Sequence, residues 1–261
     1  MLTTIDIGNT HIVTAILDYD GDIKCSFRVS TKEKLTEDEY FSYFKTNLDY
    51  NNIDISEIDD IILSSVVPNL NQIFDYFGKK YFKKIPLKIN TDLKLPFKFA
   101  ENINSKGFGA DRIINIVEAL KEYPGKTLIL FDLGTATTYE VLKDNTYIGG
   151  GIFPGIEMSL NALCNNTAKL PKIPFSKPKT ALGYDISTAI QGGIFYGYIG
   201  QLKEIIRVIK EEIGEDATVI TTGGLGKYVA PEIDEINVYD PDLGLKGLYA
   251  IYQENKDHER F

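Results

Sequence analysis

The stretch "LTTIDIGNTHIVTAIL", residues 2–17, decides the fold class. One short apolar run enters it and another leaves, and Gly8, Asn9 and Thr10 turn the chain between them. Alternating apolar runs around such a turn read as a pair of strands. One carboxylate, Asp6, stands at the mouth of the turn. The same grammar returns at residues 127–142, "TLILFDLGTATTYEVL", where Asp132 matches Asp6 and Gly134 matches Gly8. The copies are too long and too far apart for a solenoid repeat. They mark two versions of one β-rich unit.

Between and after the copies, strands and helices alternate. Residues 36–51 have helical spacing, with Tyr40, Phe44 and Leu48 on one stripe. Residues 58–68 read as a buried strand ending at Pro68, and residues 68–82 are again helical. Residues 88–108 form a long irregular loop, which in a compact protein points to function. It ends where Asp111 and Arg112 open a helix striped by Ile113, Ile114, Val117 and Leu120. This order favours an α/β chain over a sandwich or a bundle. The duplication sets two domains, residues 1–113 and 114–261. A helical run over 186–213 carries Gly192, Gly193, Gly197 and Gly200, which favours close backbone approach by another element, including one from a second subunit.

The formal charge of −9 argues against binding nucleic acid or an anionic membrane through bulk electrostatics. Cys25 and Cys164 cannot build a disulfide framework, and no C-x-x-C pair suggests zinc. No signal peptide and no membrane-length apolar run is visible, so a reducing cytoplasm is the expected compartment.

A lysine-bearing phosphate loop of the G-x-x-x-x-G-K-[ST] type is missing. The chain offers two Asp-x-Gly turns instead, and "TTGGLG" at 221–226 after a third strand. Glycines let backbone N–H groups approach phosphate, and Thr10, Thr135 and Thr137 bring hydroxyl donors. A carboxylate repels phosphate unless a cation stands between them, so an Asp in each turn predicts a metal bridge to a nucleotide triphosphate. "GGG" at 149–151 reads as a structural turn. Asp111 suits a helix N-terminus, and Arg112 suits two-point recognition of a carboxylate or phosphate.

"DIGNT" (6–10), "SSVVP" (64–68), "GADR" (109–112), "DLGTATT" (132–138), "GGGIFPG" (149–155), "TAKLP" (167–171), "TTGGLG" and "DPDLGLKGL" (240–248) follow in this order. Together they resemble type III pantothenate kinase, of the acetate and sugar kinase, Hsp70 and actin superfamily, over nearly the whole chain. The resemblance implies two duplicated ribonuclease H-like (actin-like ATPase) domains with mixed sheets. The first would carry the phosphate loop and substrate segment, the second the cation and nucleotide loops. It implies ATP-dependent phosphorylation of pantothenate to 4'-phosphopantothenate, the first step of coenzyme A biosynthesis, by a homodimer with its substrate pocket near the subunit interface.

Carried over by residue, Asp6, Ile7, Gly8, Asn9, Thr10, His11, Ile12 and Val13 resemble the ATP phosphate loop, and Thr135 an ATP contact. Asp132 resembles the ligand of a monovalent cation, potassium or ammonium, and ATP would bring Mg²⁺. Gly109, Ala110, Asp111 and Arg112 resemble the pantothenate segment, with Asp111 as general base. Two positions depart from the family. Its substrate Tyr before "GADR" is absent: the corresponding stretch is "KFAENINSK" (98–106), which carries an insertion and whose aromatic is Phe99. Its Thr after the glycine at Gly183 is Ile186 here, which leaves Thr188 or Ser187 to supply a hydroxyl. A kinase for another small hydroxylated acid and a non-catalytic ATP-binding regulator are the competing readings. The acid–arginine pair of "GADR" favours a kinase.

Overall fold

The computed structural model describes residues 1–32 and 34–258. By its internal contacts the chain divides into two units, Met1–Pro124 with the C-terminal stretch from Asp242, and Gly125–Pro241.

The first unit opens with β1 (Leu2–Ile7), β2 (His11–Leu17) and β3 (Ile23–Ser30), an antiparallel meander. Helix α1 (Glu37–Tyr50) then carries the chain back to β4 (Asp60–Ser65), which runs parallel to β1. Parallel neighbours need such a crossover. Helix α2 (Pro68–Phe77) leads to β5 (Leu87–Lys88), and the sheet order is β3-β2-β1-β4-β5. Thr36 and Glu39 start α1 with a reciprocal capping box, and Pro68 occupies the first turn of α2, where its missing N–H costs nothing. The expected stripe Tyr40, Phe44 and Leu48 is fully buried, against Ile5, Ile7, Ile12 and Ile16 of the strands and Phe74 and Phe77 of α2. Tyr40 meets Phe74 and Phe77 edge-on at 4.6 and 4.9 Å, and its hydroxyl pairs with that of Thr14. Burial pushes that phenol well above its ordinary pKa, so it stays neutral and its oxygen finds a partner.

The long loop after β5 contains only the two-residue β6 (Lys98–Phe99) before α3 (Ala110–Glu122). The last helix, α7 (Leu243–Asn255), returns to the first unit and packs on α3. Gly247 permits this: a Cβ there would lie 2.0 Å from the Ile114 carbonyl oxygen. Asn255 ties the loop to α7 by accepting from the Lys94 N–H and donating to the Lys94 carbonyl. A boundary at residue 113 would therefore cut α3 in its second turn. The contacts put the division at Pro124 and bring the C-terminal helix home, because the apolar face of α3 is covered by α7.

The second unit repeats the first. Strands β7 (Leu128–Leu133), β8 (Ala136–Lys143) and β9 (Thr146–Pro154) form an antiparallel meander, followed by α4 (Ile156–Asn165) and α5 (Ile186–Ile213). Then β10 (Thr218–Thr222) lies parallel to β7, and after α6 (Gly226–Val229) β11 (Val238–Tyr239) lies parallel to β10. Within this unit the order is β9-β8-β7-β10-β11, the same connectivity as β3-β2-β1-β4-β5. Asp144 and Asn145, both at positive φ, make the two-residue β8–β9 turn that matches strand twist. No helix among the described residues is long and apolar enough to cross a membrane.

Candidate active site

β1 ends at Ile7, and Gly8, Asn9 and Thr10 swing the chain into β2. The turn is pinned from two sides. The Gly8 N–H donates to the His11 carbonyl at 3.0 Å, while the Thr31 hydroxyl donates to the Gly8 carbonyl at 2.7 Å and the Thr31 N–H to the Thr10 carbonyl at 2.9 Å. Asn9, Thr10 and His11 are exposed, whereas Ile7 and Ile12 are fully buried in the core and Val13 is half-buried. Ile7 and Ile12 thus hold the turn in place, and ligand groups are left to backbone amides and the exposed tip.

Asp6 lies opposite Val13 on one side and Ser64 on the other. Its carboxyl is pushed up to about 6, chiefly by burial, with the Ser64 hydroxyl pulling it down and the charge of Asp111 pushing it further up. Asp111 stands in the first turn of α3. Burial raises its carboxyl too, against the Arg112 backbone N–H, which donates to its Oδ1 at 2.9 Å, and the Arg112 charge. The carboxylate folds back over Gly109, where a Cβ would sit 2.4 Å from Oδ1. Gly109 therefore makes room for the acid and gives the helix no side-chain cap. Ala110 is buried beneath, and the Arg112 guanidinium stacks on the Phe108 ring at 4.2 Å. The charge of Asp111 thus helps to raise a second carboxyl of the same unit, Asp6.

In the second unit Asp132 holds the place that Asp6 holds in the first. It pairs across β7–β8 with Thr138 and across β7–β10 with Thr222. Each acid thus has a hydroxyl residue as its parallel partner, Ser64 or Thr222. Thr135 is exposed at the tip of the turn. Thr137 is not a ligand donor: it is fully buried and bonded to the Tyr198 hydroxyl of α5, because strand alternation turns it to the core.

Two glycines brace this turn from outside it. A Cβ on Gly155 would lie 2.3 Å from the Gly134 carbonyl, and the Gly155 N–H donates to the Thr135 carbonyl. Gly223, at φ +90°, lies against the Leu133 backbone, where a Cβ would be 2.7 Å away. The "GGGIFPG" and "TTGGLG" motifs therefore support the Asp132 turn through backbone approach.

Thr188 lies one turn into α5. Its N–H donates to Asp185 Oδ1, and its hydroxyl accepts the N–H groups of Tyr184 and Asp185, closing a capping box. Ile186 beside it is more than half exposed. Ser64, Thr222, Gly155 and Phe108 were not singled out from the sequence. The last glycine of "GGGIFPG", the first hydroxyl of "SSVVP" and the second threonine of "TTGGLG" lay within motifs that could have pointed to them, whereas Phe108 lay outside the motifs. Among the described residues no cluster of three metal-ligating side chains exists.

A family model described as type III pantothenate kinase matches residues 2–208. The chain belongs to the type III pantothenate kinase family. It is 56% identical over 256 residues to a Fusobacterium nucleatum subsp. nucleatum protein named type III pantothenate kinase, covering 98% of this chain and 100% of that one. An Agathobacter rectalis protein of the same name is 42% identical over 257 residues, covering 97% of each. In fold the chain is similar to component A of the (R)-2-hydroxyglutaryl-CoA dehydratase of Acidaminococcus fermentans, with a TM-score of 0.55 and 13% identity over 98% of this chain and 99% of that one. The two repeated mixed sheets are those of the actin-like ATPase and sugar kinase fold.

Proposed function

We infer that this chain transfers the terminal phosphoryl group of ATP to pantothenate, giving 4'-phosphopantothenate and opening coenzyme A biosynthesis. Family membership supports the reaction. The observation that carries the reading at residue level is the Asp111 carboxylate, folded over Gly109 and held by the Arg112 N–H at the start of α3.

Phosphoryl transfer to an alcohol needs positioning, charge neutralisation and a proton acceptor. Asp111 is assigned as that acceptor. Its raised carboxyl brings its basicity nearer to neutral pH, which suits general-base work. Gly109 and Ala110 shape the substrate segment, and Arg112 takes the pantothenate carboxylate with a planar pair of N–H donors. The first unit is assigned the phosphate loop from Asp6 to Val13, whose backbone amides and Thr10 hydroxyl hold the triphosphate. Thr135 of the second unit is assigned a further ATP contact.

Asp6 fits a cation brought by the nucleotide: one carboxyl, raised by burial and by Asp111, with no group of three metal-ligating side chains among the described residues. Mg²⁺ bound to the triphosphate would supply charge neutralisation there. Asp132 is assigned the monovalent cation, potassium or ammonium, on the family resemblance and on its equivalence to Asp6 in the repeated unit. Thr188 is assigned to the substrate side as well, although its hydroxyl already caps α5, so Ser187 is the competing donor.

A homodimer is supported by apolar side chains at the start of α5 and before it: Leu182, Tyr184 and Ile186 are 76, 87 and 56% exposed. Gly193, Gly197 and Gly200 of α5 also face open space within the chain. A cytoplasmic setting is supported by the two free, buried cysteines. The test is ATP consumption by the purified chain against pantothenate and a panel of other small hydroxy acids. Pantothenate is expected to give the highest kcat/KM; a clear preference for another acid would overturn the assignment.

A further inference from the structure

Phe108 immediately precedes the "GADR" tetrapeptide, and its ring covers the face of the Arg112 guanidinium. The ring is itself supported. Phe99 meets Phe108 edge-on at 5.1 Å, and Phe97, only 7% exposed, meets Phe99 edge-on at 5.3 Å. A column of three rings runs from a buried anchor to a charged side chain. The backbone of Phe108 is fixed as well. Its N–H donates to the Ser105 carbonyl at 3.1 Å, in a turn that passes through Gly107 at φ +80°.

Phe108 occupies the position before the N-cap residue Gly109, from which an apolar side chain commonly staples to the fourth helical residue. Here it stacks on the third, Arg112. A guanidinium meets an aromatic ring with its face, while its N–H donors radiate in its own plane. Covering the face fixes the plane and aims the donors edgewise, the orientation that two-point binding of a carboxylate requires.

We propose that Phe108, backed by Phe99 and Phe97, is a positioning residue that presents Arg112 edge-on, so that the acceptor is selected by its carboxylate. The column turns an otherwise irregular loop into a support for one arginine. At Phe99 it uses a ring without a hydroxyl, so the side chain supports the column by packing. The proposal rests on the assignment of Arg112 to the pantothenate carboxylate.

The test is steady-state kinetics of the full chain at saturating ATP, with pantothenate and with pantothenyl alcohol, in which a hydroxymethyl group replaces the carboxylate. Phe108→Leu is expected to raise KM for pantothenate roughly three- to thirtyfold, the range a cation–π contact covers, with kcat and KM for ATP unchanged. KM for the alcohol should stay the same, and Phe108→Tyr should restore the wild-type value. Should Phe108→Leu fail to fold, Phe108→Met keeps the bulk and removes the ring. A variant that shifts both acceptors equally, or neither, overturns the positioning role. A wild-type enzyme with equal kcat/KM for acid and alcohol overturns the Arg112 assignment itself, a separate failure visible without any variant.

Discussion

Asp6 and Ser64 are register partners across the parallel pair β1–β4, and the buried Ser64 hydroxyl lowers a carboxyl that burial and Asp111 raise to about 6. The folded chain thus keeps the Asp6 proton up to about pH 6, while the unfolded chain releases it near the ordinary carboxylate value of 3.8. Between those values the folded state binds more proton. Stability contributed by this group therefore falls as pH rises through that window, and the full cost is present above about 6. Asp6→Asn should remove the cost. In denaturant unfolding of the ligand-free chain, the variant should gain on wild type between about pH 4 and about pH 7.5, by ~1–3 kcal/mol, since a tenfold change in proton affinity is worth ~1.4 kcal/mol. A flat difference across that range would refute the burial argument. Ser64→Ala should move the Asp6 titration upward, followed by carboxyl carbon NMR.

Asp111→Asn keeps the shape of the side chain and its place over Gly109 but removes the base. Turnover is expected to fall by about 10²–10⁴, the usual worth of a general base, with ATP affinity nearly intact. Because burial raises the Asp111 carboxyl, the acid limb of kcat/KM for pantothenate should lie above the usual carboxylate range. Comparable turnover in variant and wild type, with chemistry rate-limiting, would remove Asp111 from this role.

Activity should depend on a monovalent cation through Asp132. Rates measured in potassium, ammonium, sodium and choline at one ionic strength are expected to be highest in potassium or ammonium. Asp132→Asn should weaken the response. Equal rates in potassium and choline would show that no such ion takes part.

The Thr188 hydroxyl closes the capping box that Asp185 opens, so Thr188→Val should cost stability: about 1 kcal/mol in chemical unfolding, the net worth of a hydrogen bond. If capping is its whole role, kcat/KM for pantothenate measured on folded protein will stay put. Ser187→Ala will then carry the kinetic effect. A loss confined to Thr188→Val would return the substrate contact to Thr188.

The duplicated strand–turn–strand unit, the stripe of α1 and the acid–arginine pair at the head of α3 were legible in the residues. These follow from alternation, helical spacing and turn chemistry, all of which act over a few residues. Tertiary structure alone decided which distant segments meet. Nothing local in "SSVVP" says that Ser64 will stand beside Asp6, because parallel pairing with β1 is chosen by the buried faces of β4, α1 and α2. Nothing in "DLGTATT" separates exposed Thr135 from Thr137, whose hydroxyl is taken by Tyr198, sixty-one residues on. The return of α7 to α3 likewise depends on a glycine, Gly247, that is meaningful only against the Ile114 carbonyl it admits. Local rules fix the elements, and the burial of their apolar faces fixes the partners that each functional side chain receives.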